Sequence, residues 1–138
     1  IMDVIQPGQH GSTFGGNPMG SLVAQTALEV IRDEKLTQNA RTLGTLFRAQ
    51  MNLYIADSKI VNLVRGRGLL NAILINDTED SKTAWNICLR LRDKGLLAKP
   101  THGNIIRFAP PLVITEEQLL DCIHIITSTL KEFEPQDS

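Results

Sequence analysis

Aromatic side chains are scarce in this chain. They make up 4% of 138 residues, with one Trp, one Tyr and four Phe. A core of any size must therefore be assembled from Leu, Ile, Val and Ala. Cysteine is scarcer still. Cys88 and Cys122 are too few for a disulfide framework, and both fall in apolar stretches with helical spacing. They read as buried free thiols of a reducing compartment. No excess of charge of either sign is present: 14 Lys and Arg stand against 15 Asp and Glu, a formal net charge of −1. That balance excludes a nucleic-acid binder, which draws its affinity from neutralised phosphates. Long apolar runs are missing too, and none approaches the roughly 20 residues that cross a bilayer. No signal-peptide pattern opens the chain. It starts at Ile1 rather than at Met, inside a strand-like run over residues 1–5, and so is expected to begin at a processing site or a cut.

What is present is the composition of a folded domain, 42% apolar and 21% charged. Residues 6–18 form a loop rich in Gly and Pro. Asn17-Pro18 then opens a helix, with Asn as N-cap and Pro in the first turn. Met19, Leu22, Val23, Ala27, Val30 and Ile31 recur along it at helical spacing. A second helix is expected over residues 37–56, with Leu43, Leu46, Phe47, Met51 and Tyr54 as its apolar stripe and Arg41, Arg48 and Gln50 facing outward. Two strands follow, over 60–65 and 69–75, split by Gly66-Arg67-Gly68. The second is nearly all apolar and is expected at the centre of a sheet. A third helix covers 81–94, with Ala84, Ile87, Cys88 and Leu91 on one face and Gly95 as its C-terminal stop. Strands at 96–99 and 105–109 flank a turn at 101–104. Thr115 and Gln118 form a capping box for a last helix, whose apolar face runs from Leu119 to Phe133, and a polar tail of residues 134–138 follows. This order predicts an α+β domain, with helices on one face of a small, mainly antiparallel sheet.

Two features carry possible chemistry. In His10-Gly11-Ser12-Thr13-Phe14-Gly15-Gly16-Asn17-Pro18, glycines bare backbone N–H groups, Ser12 and Thr13 add hydroxyls, and a helix N-terminus follows. These are the parts of a phosphate site, and equally of a tight loop feeding a helix. Arg107 sits in the apolar run Ile105-Ile106-Arg107-Phe108-Ala109. Either it meets a carboxylate or phosphate, or the strand lies at an edge and Arg107 points to water. Arg65-Gly66-Arg67-Gly68 reads as a hairpin turn with solvated arginines, and Lys99 as a surface lysine at a strand end. The three His have no partners at metal-ligand spacing, so no metal site is expected.

These stretches, in this order, resemble the class III aminotransferases, pyridoxal-phosphate enzymes of fold type I. The loop at 10–18 carries the resemblance to the class. Val64-Arg65-Gly66-Arg67-Gly68-Leu69-Leu70-Asn71-Ala72, Arg90-Leu91-Arg92-Asp93-Lys94-Gly95 and the segment from Lys99 to Ile114 resemble the branch of that family acting on ornithine. The resemblance implies that residues 1–36 are the end of a large cofactor domain, three-layered α/β in the parent, and 37–138 a C-terminal small domain. It implies that Thr13, assisted by Ser12, binds the cofactor phosphate of the neighbouring subunit of a homodimer. It implies that Arg107 pairs with the α-carboxylate of 2-oxoglutarate or glutamate. The family's Schiff-base lysine, its acidic partner of the pyridine nitrogen and its stacking aromatic match no position here. The chain is thus expected to contain no catalytic residue, to be a C-terminal fragment, and to be inactive alone. An acetylornithine or other ω-amine aminotransferase, and a non-catalytic interaction module, are the rival expectations. The family occurs in the mitochondrial matrix and in cytoplasm.

Overall fold

The computed structural model describes residues 2–135. The chain divides into two compact units, 1–35 and 36–138.

The first unit begins with a short 3-10 helix, Met2–Val4, where the sequence suggested a strand. A three-residue turn with Asp3 in it satisfies its backbone locally, whereas a strand needs a neighbour. A loop leads to helix α1, Pro18–Asp33. The Asn17 side chain accepts from the Gly20 N–H at 2.8 Å, and Pro18 occupies the first turn, as the Asn-Pro pair requires. α1 has no buried residue; Met19, Leu22, Val23 and Leu28 are all exposed.

The second unit holds helices α2 (Leu36–Ile55), α3 (Thr83–Asp93) and α4 (Glu116–Lys131), and strands β1 (Val61–Arg67), β2 (Leu70–Ile75), β3 (Lys99–Thr101) and β4 (Ile105–Phe108). The strands form one antiparallel sheet in the order β1-β2-β4-β3. β2, α3 and β3 thus make a split β-α-β unit with β4 inserted between its strands. β2 is central, as its apolar composition demanded. The third strand starts at Lys99 rather than near Leu96, because Gly95 turns left-handed (φ 87°) at the end of α3 and residues 96–98 are spent on the turn back to the sheet.

Alternation splits the sheet into two chemically distinct faces. Val61, Val64, Asn71, Ile73, Ile75, Ile106 and Phe108 point to the helices and are buried. A bulge between Val61 and Leu63 resets the phase of β1, so that Val61 and Val64 both face inward. Against them pack Leu43, Phe47 and Met51 of α2, Ala84, Ile87 and Leu91 of α3, and Leu119, Ile123, Ile126 and Leu130 of α4. Phe47 and Phe108 meet with centroids 5.7 Å apart. The Thr115–Gln118 capping box forms as expected. The opposite face, with Leu63, Arg65, Leu70, Arg107 and Lys99, carries none of this unit's helices among the described residues, and these side chains are exposed.

Two expectations are corrected by polar anchors. Arg48 does not face outward. Its Nη1 donates to the Gly68 carbonyl (3.1 Å) and to Asn71 Oδ1 (2.8 Å), while Asn71, only 3% exposed, donates back to Gly68 O. This cluster pins the β1–β2 turn to α2. The other correction is that Glu134 is not part of a free tail. It accepts from the Tyr54 and Ser58 hydroxyls and from the Lys59 N–H. Burial raises the Tyr54 phenol pKa, and Glu134 adds to the rise. Burial also works against the Glu134 carboxylate, but the hydrogen bonds outweigh it and the net shift is downward. Of the remaining tail residues, 136–138 lie outside the described residues.

Candidate functional site

Arg107 has a definite position. β4 lies between β2 and β3, so it is not an edge strand, and that explanation for an Arg in an apolar run falls. Its neighbours Ile106 and Phe108 are buried, and alternation sends Arg107 to the opposite face, where it is exposed. Among the described residues no carboxylate pairs with it. A guanidinium on a strand, with its planar fork unused, has the geometry to receive a carboxylate or phosphate.

The 10–18 loop lies in the first unit and is exposed throughout. Asn17 Nδ2 donates to the Phe14 carbonyl at 2.6 Å, and Ser12 Oγ accepts from the Gly15 N–H at 2.9 Å. The Ser12 hydroxyl therefore braces the loop as an acceptor but keeps its own proton to donate. Thr13 has no partner for its hydroxyl among the described residues. With Gly16 left-handed (φ 75°) and the N-terminus of α1 just beyond, the loop offers hydroxyl and N–H donors to an anion. Because Arg107 and this loop belong to different units, each stands here as a site on its own.

Other candidates resolve more simply. Cys88 is buried, and burial pushes its thiol up to about 11; Cys122 is only partly buried, so the expectation of two buried thiols holds for one. Burial, then Asp121, raises the Cys122 thiol as well. Neither is poised as a nucleophile. His102 adopts a left-handed turn (φ 51°) with Gly103 before β4. An apolar cavity of about 290 Å³ lies between Phe47, Phe108, Pro111, Leu119 and Cys122, on the helix side of the sheet, away from Arg107. Among the described residues no three His, Cys, Asp or Glu gather as metal ligands, and no helix is long and apolar enough to cross a membrane.

Residues 1–130 match the family Aminotransferase class-III. The chain belongs to the class-III aminotransferases. Among family members it is 55% identical over 94% of its length to the mitochondrial ornithine aminotransferase of Drosophila melanogaster, and 53% identical over 96% to that of Rattus norvegicus. An ornithine aminotransferase of Schizosaccharomyces pombe, whose name carries no compartment, is 54% identical over 96%. The chain covers 29% to 30% of these three class-III aminotransferases. Solved class-III structures superpose closely. Acetylornithine aminotransferase from Elizabethkingia anophelis gives a TM-score of 0.87 at 66% identity, over 96% of this chain and 33% of that one. Ornithine δ-aminotransferase from Plasmodium falciparum gives 0.85 at 44%, over 96% and 34%.

Proposed function

We propose that this chain is the C-terminal part of an ornithine aminotransferase, which moves the δ-amino group of ornithine to 2-oxoglutarate and yields glutamate semialdehyde and glutamate. In this reading the unit 1–35 ends the cofactor-binding domain, and 36–138 is the small domain. The observation that carries it is Arg107: an unpaired guanidinium on an interior strand, facing away from the core, in a chain 53% to 55% identical to ornithine aminotransferases.

Arg107 takes the α-carboxylate of the keto acid in a bidentate contact, which fixes the plane of the acid and so the direction of its reacting carbon. Thr13 donates its hydroxyl to a phosphate, Ser12 does the same while bracing the loop, and the Met19 N–H at the start of α1, which Asn17 leaves free, completes the cradle. These donors fit the phosphate of pyridoxal 5′-phosphate, reached across a homodimer interface. When bound, that cofactor supplies the electron sink that amino-group transfer needs. The chain has no lysine matching the family's Schiff-base position, so its own residues bind and orient.

The test uses the full-length protein that contains this sequence. Arg107→Ala should raise KM for 2-oxoglutarate by about 10- to 100-fold, the loss of one bidentate charge-assisted contact. An unchanged KM refutes the role of Arg107. Thr13→Ala should weaken cofactor affinity by about tenfold or more, one hydrogen bond to a charged group; unchanged affinity refutes the phosphate assignment. A second reading, transfer from acetylornithine, is favoured by the 66% identity to the Elizabethkingia enzyme. A comparison of kcat/KM for ornithine and acetylornithine decides between the two.

A further inference from the structure

Register across the four strands aligns one line of residues. Arg65 pairs with Ala72, Ala72 with Arg107, and Arg107 with Lys99. Directly paired residues share a face, so Arg65, Ala72, Arg107 and Lys99 form a single row across the side of the sheet opposite the helices. The adjoining row is Leu63, Leu74, Ile105 and Thr101, which carries no charge. On the other side Arg67, paired with Leu70, adds a cation to this face, so positive charge is densest in the first row, with three cations. All three cations are exposed, and no carboxylate pairs with any of them among the described residues. Like charges directly opposite each other destabilise a sheet. Lys99 and Arg107 are such a pair, and an anion between them reverses the sign of the interaction.

We propose that Lys99 is a second cationic contact for the carboxylate that Arg107 receives; this rests on the reading of Arg107 given above. Paired Cα atoms on neighbouring strands lie about 5 Å apart, so both side chains reach one carboxylate. The roles differ by chemistry. The guanidinium fork sets the plane of the acid, and the ammonium on its flexible four-carbon stem adds a point charge to an outer lone pair. Lys99 therefore contributes affinity without setting orientation. Arg65 stands two strand spacings from Arg107, roughly 10 Å, with only the methyl of Ala72 between them. It raises the local potential but does not reach the same carboxylate.

The experiment uses the full-length holoenzyme, with KM and kcat for 2-oxoglutarate measured beside the dissociation constant of glutarate, a dicarboxylate that cannot react. Lys99→Gln should raise both the KM and the glutarate constant by about threefold to tenfold, the range of one partly exposed charge-assisted contact. The value of kcat and the KM for ornithine should stay unchanged. Lys99→Arg should restore most of the loss, and Arg65→Gln should cost less than twofold. If Lys99→Gln changes neither constant while Arg107→Ala raises both, the proposal fails and the role of Arg107 stands. If Arg107→Ala also changes neither, both fail. Equal effects of Arg65→Gln and Lys99→Gln would mean a general field rather than a contact, and would equally overturn it.

Discussion

Gly44→Ala isolates the contact that holds the β1–β2 turn against α2. A Cβ on Gly44 would sit 1.8 Å from the carbonyl oxygen of Gly68, 2.3 Å from its carbon and 2.9 Å from its Cα. Ordinary contact begins at 3.4 Å, so the oxygen must retreat by about 1.6 Å. All the clashing atoms are backbone, and no rotamer change relieves them. The retreat pulls Gly68 O from Arg48 Nη1 and from Asn71 Nδ2, both now 3.1 Å away. Overpacking of this kind costs about 1–3 kcal/mol, and one strained hydrogen bond to a charged group about 1.5 kcal/mol more. Against that stands a gain of about 1 kcal/mol for Ala over Gly inside a helix. The net loss is about 1.5–3.5 kcal/mol. With a urea slope of about 1–1.5 kcal/mol/M for a domain of this size, the unfolding midpoint should fall by roughly 2 M. Asn52→Ala, at an exposed position of the same helix, should gain a few tenths of a kcal/mol. A Gly44→Ala chain as stable as its parent would refute the close approach and the anchoring built on it.

Thr129 of α4 is fully buried, and its hydroxyl has no partner among the described residues. Thr129→Val keeps the shape and removes the orphan group, so it should stabilise by about 1 kcal/mol in thermal unfolding; a destabilised variant would mean that the hydroxyl is satisfied. Glu132 receives Arg90 Nε and Lys94 Nζ, each at 2.6 Å, and these two partners hold its carboxyl down to about 2. A depressed carboxyl stabilises the fold above its ordinary value of 4.5, and the gain fades as pH falls from there toward 2. Glu132→Gln should flatten the stability profile over that window, and added salt should shrink the difference from the parent, since the pair is partly exposed. An unchanged acid limb would place the transition on other groups.

The sequence spoke clearly where local chemistry decides. Asn17-Pro18, Thr115 with Gln118, and the face Ala84, Ile87, Cys88 and Leu91 all act within a turn or two of themselves, and their structures match the pattern. It was silent where partners lie far along the chain. Arg48 read as solvent-facing because its acceptors, Gly68 and Asn71, are 20 and 23 residues away. Glu134 read as tail because Tyr54 and Ser58 lie 80 and 76 residues back. Arg107 stood out in its apolar strand from the start, but only the strand order removed the edge explanation. Lys99 carried no signal: its strand is three residues long, and its importance comes from register alone, which no single segment encodes.

The insertion of β4 between β2 and β3 also has a consequence for how the chain matures. Chain order delivers the β1–β2 hairpin first, and its nearly all-apolar inner strand keeps a bare hydrogen-bonding edge until residues 105–108 arrive some thirty positions later. That interval is the stretch of synthesis in which strand-to-strand misassociation is most dangerous. The segment that ends the danger is the one that carries Arg107. On the proposed role of Arg107, a lesion in β4 acts twice, on ligand recognition and on the yield of correctly folded chain. Expression level has to be read beside kinetics before any loss at that strand is ascribed to chemistry.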